Sequence, residues 1–151
     1  MSDNEKLIIA SQFGPGKVLD DAMKIRRAVF MLEENVSPAD EIDGQDGHCL
    51  HYVGYVQDWQ PATTSRIYTV NHDSWHIGRV ATFKNFRGKG FASQLLKQIE
   101  IDAKKQHIKE LELEAQVHAI SFYENLGYAA YGDIFLDANI QHRKMQKILT
   151  A

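Results

Sequence analysis

The sequence predicts a domain of mixed α/β class, on three observations. Two segments carry apolar residues at helical spacing: Val18, Ala22, Ile25, Val29 and Leu32, then Phe91, Ala92, Leu95, Leu96, Ile99 and Ala103. The segment Glu110-Leu111-Glu112-Leu113-Glu114-Ala115 alternates with period two, as a half-buried strand does. Between the helical stripes, two strand-like runs feed a turn with two glycines, and the second helix starts immediately after it.

Taken in order, Lys6 to Ala10 is a short apolar run that fits a first strand, and Gly14-Pro15-Gly16 breaks the chain behind it. The first helical stripe runs from Val18 to Leu32, and Pro38 ends its range. Asp40 to Gly47 is acidic and glycine-rich, hence a loop, and the other two prolines, Pro15 and Pro61, also fall in loop-like stretches. His51 to Val56, Thr63 to Val70 and Trp75 to Phe83 read as strands, with Asn71-His72-Asp73-Ser74 as a hairpin turn between the last two. After the second helix and the Glu110 to Ala115 strand, a short helix from Ala119 to Asn125 ends at Gly127, a natural C-cap position. Tyr128 to Phe135 and Ile140 to Ile148 read as two closing strands.

The length of 151 residues fits one domain over residues 1–151. A net charge of −3 argues against a nucleic-acid partner, which favours a basic face. The lone cysteine, Cys49, can form neither an intrachain disulfide nor a thiolate zinc site, which points to a reducing compartment. Met1 to Lys6 lacks the basic-then-apolar order of a secretory leader, and no apolar run approaches the roughly 20 residues that span a bilayer. These features predict a cytoplasmic protein without a membrane partner.

The most informative stretch is Arg79-Val80-Ala81-Thr82-Phe83-Lys84-Asn85-Phe86, followed by Arg87-Gly88-Lys89-Gly90-Phe91-Ala92. A strand runs into a turn and a helix begins at once. The first N–H groups of a helix have no internal partner and carry the positive end of its dipole. Glycines let the backbone approach an anion, and Arg87 and Lys89 add charge. The third glycine of a dinucleotide fingerprint and the Gly-Lys-Ser/Thr ending of a P-loop are both missing. On these residues alone, a phosphate site and an ordinary solvated turn are equally good readings.

Two landmarks decide between them. Arg87-Gly88-Lys89-Gly90-Phe91-Ala92 resembles the acyl-CoA signature of the GNAT superfamily, Gln/Arg-x-x-Gly-x-Gly/Ala. About thirty residues on, Ala119-Ile120-Ser121-Phe122-Tyr123-Glu124-Asn125-Leu126-Gly127-Tyr128 is similar to that family's Ala-x-x-Phe-Tyr-Glu-x-x-Gly-Phe/Tyr. The resemblance covers the chain from about His51 to the end. More narrowly, Arg26 to Glu33, Ala115-Gln116 and Ile140 to Met145 resemble the ElaA-like acetyltransferases.

The resemblance implies a mostly antiparallel, twisted sheet with helices on both faces. It implies an N-acetyltransferase that uses acetyl-CoA as co-substrate, with no metal. The pantetheine arm would lie along Val80, Ala81 and Thr82, and the pyrophosphate on the backbone of Arg87, Gly88, Lys89, Gly90, Phe91, Ala92 and Ser93. A Cβ at Gly90 is expected to hurt more than truncation of Lys89. Gln116 stands where the family often has Asn. Tyr123 matches the tyrosine that faces the CoA sulfur and would protonate the departing thiolate. Glu33 is the first candidate for general base, with His142 and His118 behind it. Cys49 lies outside both landmarks and is a poor nucleophile candidate. The run from Asp43 to His51 mixes carboxylates and imidazoles, but its spacing fits neither an EF-hand nor a zinc pattern, so it reads as a polar loop near the acceptor entrance. The acceptor would be a small-molecule or peptide amine, and a homodimer fits families of this kind. The rival readings are a catalytically inactive acyl-CoA-binding module and a nucleotide-phosphate binder.

Overall fold

In the computed structural model, which describes residues 5–149, the strands form one seven-stranded sheet in the order β1-β2-β3-β4-β5-β7-β6. They are β1 (Ile8–Phe13), β2 (Leu50–Val56), β3 (Gln60–Asn71), β4 (Ser74–Thr82), β5 (Glu110–Gln116), β6 (Ala129–Asp137) and β7 (Ile140–Ile148). The helices are α1 (Lys17–Arg26), α2 (Pro38–Glu41), α3 (Phe91–Lys105) and α4 (Ile120–Asn125). Every neighbouring pair is antiparallel except β4 and β5, which run parallel around the α3 crossover. The residues Met1 to Asn4, on which the leader expectation partly rests, lie outside the described residues. No described helix is long and apolar enough to cross a membrane.

Alternation of side chains along the strands sends two apolar sets to opposite faces. On one face, Tyr52, Ile67, Trp75, Ile77, Leu111, Leu113 and Met145 meet Leu95, Leu96, Ile99 and Ala103 of α3, and Tyr123 of α4. On the other, Val53, Tyr55 and Ala81 meet Val18, Ala22 and Ile25 of α1, with Val29 beyond it. The predicted α3 stripe is therefore the buried stripe. The β3–β4 turn is set by Asn71, whose Oδ1 accepts from the Asp73 N–H at 2.8 Å.

Three local expectations need correction. The first helix does not continue as an α-helix to Leu32: from Arg27 to Glu33 it widens into a π-helical turn. The extra residue per turn rotates the register, so Val29 stays buried while Leu32 is left 75% exposed. Pro38 opens a helical turn, α2, at the N1 position where its missing N–H costs nothing, and Ser37 caps that turn through the Asp40 N–H at 3.1 Å. Pro61 lies in β3, opposite Tyr55, where the β2–β3 register shifts.

The irregular part of the sheet makes the site. β4 pairs with β5 only from Ser74–Glu110 to Ile77–Leu113, although β4 runs on to Thr82 and β5 to Gln116. On its other edge β4 pairs Gly78 with Arg66 and Ala81 with Thr64, so three steps of β4 lie opposite two of β3. That extra residue is a β-bulge, and Arg79 sits in it at φ 51. Past the bulge β4 and β5 part and leave a cleft between them.

Candidate active site

The cleft has a volume of about 1250 Å³, and β4 contributes Gly78 to Thr82 along one wall, while Glu114 and Gln116 of β5 stand on the other. Phe30 and Glu33 of the π-helical turn and Glu34, which caps it, also line the cleft, as does Tyr123 of α4. Val80, Ala81, Thr82 and Ala92 all border this space.

At one end lies the Gly-rich turn. Gly88 and Gly90 take φ 79 and φ 78, a region open to glycine at little cost. Gly90 is the N-cap of α3 and no side chain caps that end, so the first-turn N–H groups face outward without a protein partner for the dipole. A Cβ at Gly90 would meet no atom within 4 Å. The glycine requirement there is one of backbone conformation, not of space within the chain. Phe91 is a core side chain, 2% exposed, so only its main chain can serve a ligand. Arg87, Gly88 and Lys89 are exposed.

Arg87 is already engaged. Its Nε donates to the Thr82 carbonyl at 3.0 Å, and its two terminal nitrogens donate to Glu33 at 2.6 and 3.0 Å. The guanidinium holds the Glu33 carboxyl below the usual carboxylate range. Gln116 lines the cleft beside two partners: its Nε2 donates to Glu34 at 3.0 Å, and its Oε1 lies 2.7 Å from His118 Nε2. His142 borders the same cleft, with Nδ1 2.7 Å from the Ile140 carbonyl and its ring stacked on Phe135.

Tyr123 is 7% exposed and stands edge-on to Phe122 and Tyr128, with ring centroids 5.0 and 5.9 Å away. Burial pushes its phenol above the ordinary range, so the group stays protonated through neutral pH. Its one reactive atom is an O–H donor beside the cleft.

Sequence reading missed a second set of residues, Tyr68 and His76, that line the same cleft. His76 of β4 stacks on Tyr68 of β3 at 4.6 Å, and its Nδ1 is buried with no hydrogen-bond partner. Burial pushes the His76 imidazole down to about 4. Between that value and the ordinary 6.5 the unfolded chain binds the extra proton, so stability should rise with pH by up to about 1.4 kcal/mol per pH unit. Urea unfolding at pH 5 and pH 7 measures this slope. His76→Asn should flatten it in part, with buried His51 supplying a remainder of the same sign.

The polar loop from Asp43 to His51 is tied down by arginines. Asp43 pairs with Arg66, and Asp46 with Arg26 and Arg66 at 2.9 and 3.1 Å. Hydrogen bonds from Arg66 hold the Asp43 carboxyl well below the usual range. Among the described residues, no group of three or more His, Cys, Asp or Glu side chains is placed to hold a metal ion. Cys49 is buried, donates to the Gln45 carbonyl at 3.2 Å, and burial pushes its thiol up.

A sheet split between two parallel strands, with an uncapped helix start at one end of the split, defines an acyl-CoA N-acyltransferase fold. The acetyltransferase (GNAT) domain model matches residues 33–149, and the chain belongs to that family. The uncharacterized protein YyaT of Bacillus subtilis is 33% identical over 132 residues, covering 85% of this chain and 88% of its own length. An acyl-CoA N-acyltransferase from Pseudomonas aeruginosa is 25% identical with a TM-score of 0.81, covering 93% of this chain and 99% of its own. Escherichia coli ElaA is 26% identical with a TM-score of 0.79 and the same coverage.

Proposed function

We propose that the chain is an acetyl-CoA-dependent N-acetyltransferase acting on a primary amine by direct attack in a ternary complex. One observation carries the reading: the open cleft joins an uncapped helix N-terminus, behind two left-handed glycines, to Tyr123, a mostly buried side chain that lines it. The first feature suits a pyrophosphate. The second suits a departing thiolate. The space between them suits the pantetheine arm along Val80, Ala81 and Thr82, with Gln116 turning from Glu34 to meet it.

In this reading the neutral amine attacks the thioester carbonyl carbon and a C–N bond forms. A main-chain N–H of the Val80–Thr82 strand holds the oxyanion. The C–S bond then breaks, Tyr123 gives its proton to the sulfur, and the new amide nitrogen sheds its own proton to water or a base, from which Tyr123 is reprotonated. An amine of pKa about 10.4 loses about 4 kcal/mol to deprotonation near pH 7.4, so a proton acceptor helps. Glu33 fills that place through water. Arg87 depresses its basicity in the unliganded protein, and a pyrophosphate at the turn would compete for that guanidinium and release Glu33.

The test is release of CoA thiol from acetyl-CoA with a panel of amines: a polyamine, a lysine peptide, a peptide N-terminus and an aromatic amine. Turnover with at least one, rising with pH as the amine deprotonates, is expected. Tight acetyl-CoA binding with no thiol release across the panel would replace the enzyme reading by the acyl-CoA-binding module.

A further inference from the structure

We infer that Arg79 is a positioning residue, whose guanidinium, clamped by buried Glu41, holds the β4 bulge that opens the cleft. The inference rests on the proposed use of that cleft by acetyl-CoA. Nothing in the landmarks of the sequence pointed to Arg79 or Glu41.

The bulge carries strain in an unexpected place. Gly78 could take positive φ freely, yet Arg79 takes it, at φ 51. An L residue resists that region unless its surroundings impose it. Here the side chain does. Arg79 Nε donates to Glu41 Oε1 at 2.9 Å, and Nη2 donates to the Glu41 carbonyl at 2.9 Å and the Asp40 carbonyl at 3.3 Å. Glu41 is itself fixed. Its side chain is fully buried, and its carboxylate accepts from Arg26 Nε of α1 at 3.1 Å. Asp43 and Asp46 extend the set to Arg66 of β3, so three guanidiniums face three carboxylates across α1, α2, β3 and β4.

The consequence is directional. Pairing of β4 with β5 stops at Ile77, immediately before the bulge, and Val80 to Thr82 then border the cleft. A bulge that relaxed to regular strand would shift these residues by one place. Their N–H groups would then exchange sides of the strand. The acidic loop from Asp40 to Asp46 is thus a brace on the cofactor wall and not only a rim for the acceptor.

Arg79→Ala and Arg79→Gly test this against simple anchoring of the loop. Both remove the same guanidinium, but glycine keeps φ near +51 without the clamp and alanine does not. NMR backbone torsions of the unliganded variants should show the bulge kept in R79G and lost in R79A. Calorimetric acetyl-CoA affinity should fall about tenfold in R79A and less than about threefold in R79G. Equal losses in the two variants would overturn the inference, as would an intact bulge in R79A. If the wild type bound no acetyl-CoA while the torsions behaved as expected, the functional reading would fall and the clamp would stand.

Discussion

Tyr123→Phe is expected to lower turnover about a hundredfold while leaving acetyl-CoA affinity within about twofold, the size of effect that a positioned proton donor supplies. The substitution removes one oxygen and little else. Phenylalanine keeps the ring edges that meet Phe122 and Tyr128, so α4 and its contacts with the sheet should survive. The phenol is buried, and that burial raises its pKa, so wild-type turnover should show no loss from this group on the alkaline side up to about pH 10. The split between kcat and affinity is the informative part. A tyrosine that only filled the core would move stability and leave kcat alone. Unchanged turnover at saturating substrate would remove Tyr123 from the chemistry.

Glu41→Ala is expected to cost about 3–5 kcal/mol of stability, the usual range for breaking a buried ion pair from one side. Arg26 is 1% exposed and would keep only Asp46 at 2.9 Å for its charge, while Arg79 would lose its main anchor. For a chain of this size that loss lowers Tm by about 10 °C, readable by thermal unfolding. Glu41→Gln keeps one acceptor for the guanidiniums and should cost less. The contrast is the Arg87–Glu33 pair, whose side chains are 43% and 34% exposed. Solvent screens it, and Glu33→Gln should change stability by less than about 1 kcal/mol. A loss below about 1 kcal/mol in Glu41→Ala would mean that water enters the loop and that the clamp is weak.

How much of this was legible in the chain follows from the range of the interactions involved. The α3 stripe, the β5 alternation and the Asn71–Ser74 hairpin rest on local periodicity and turn chemistry, and each stands where the sequence placed it. The glycine turn before α3 was legible because glycines at fixed spacing before a helix have a local reason to exist. The π-helical turn was not, because a four-three spacing is compatible with α-helix up to Leu32 and nothing in that spacing marks the widening at Arg27–Glu33. Arg79 was hidden for a related cause. Its positive φ is imposed by Glu41, 38 residues away in sequence, and no local pattern encodes that contact. The Asp43–His51 run was read as a polar loop from its composition. Its Asp43 and Asp46 turn out to belong to a charge network whose guanidiniums lie on α1, β3 and β4. His76 and Tyr68 gave no signal beyond strand pattern, since stacking across β3 and β4 depends on the register that the bulges set.

The central claim is that the cleft between β4 and β5 takes acetyl-CoA. A calorimetric titration of the whole chain with acetyl-CoA, with ATP as control, tests it most directly. Saturable binding of acetyl-CoA, with ATP failing to compete, is the predicted result. Absence of acetyl-CoA binding at millimolar ligand, or equal binding of ATP, would contradict it.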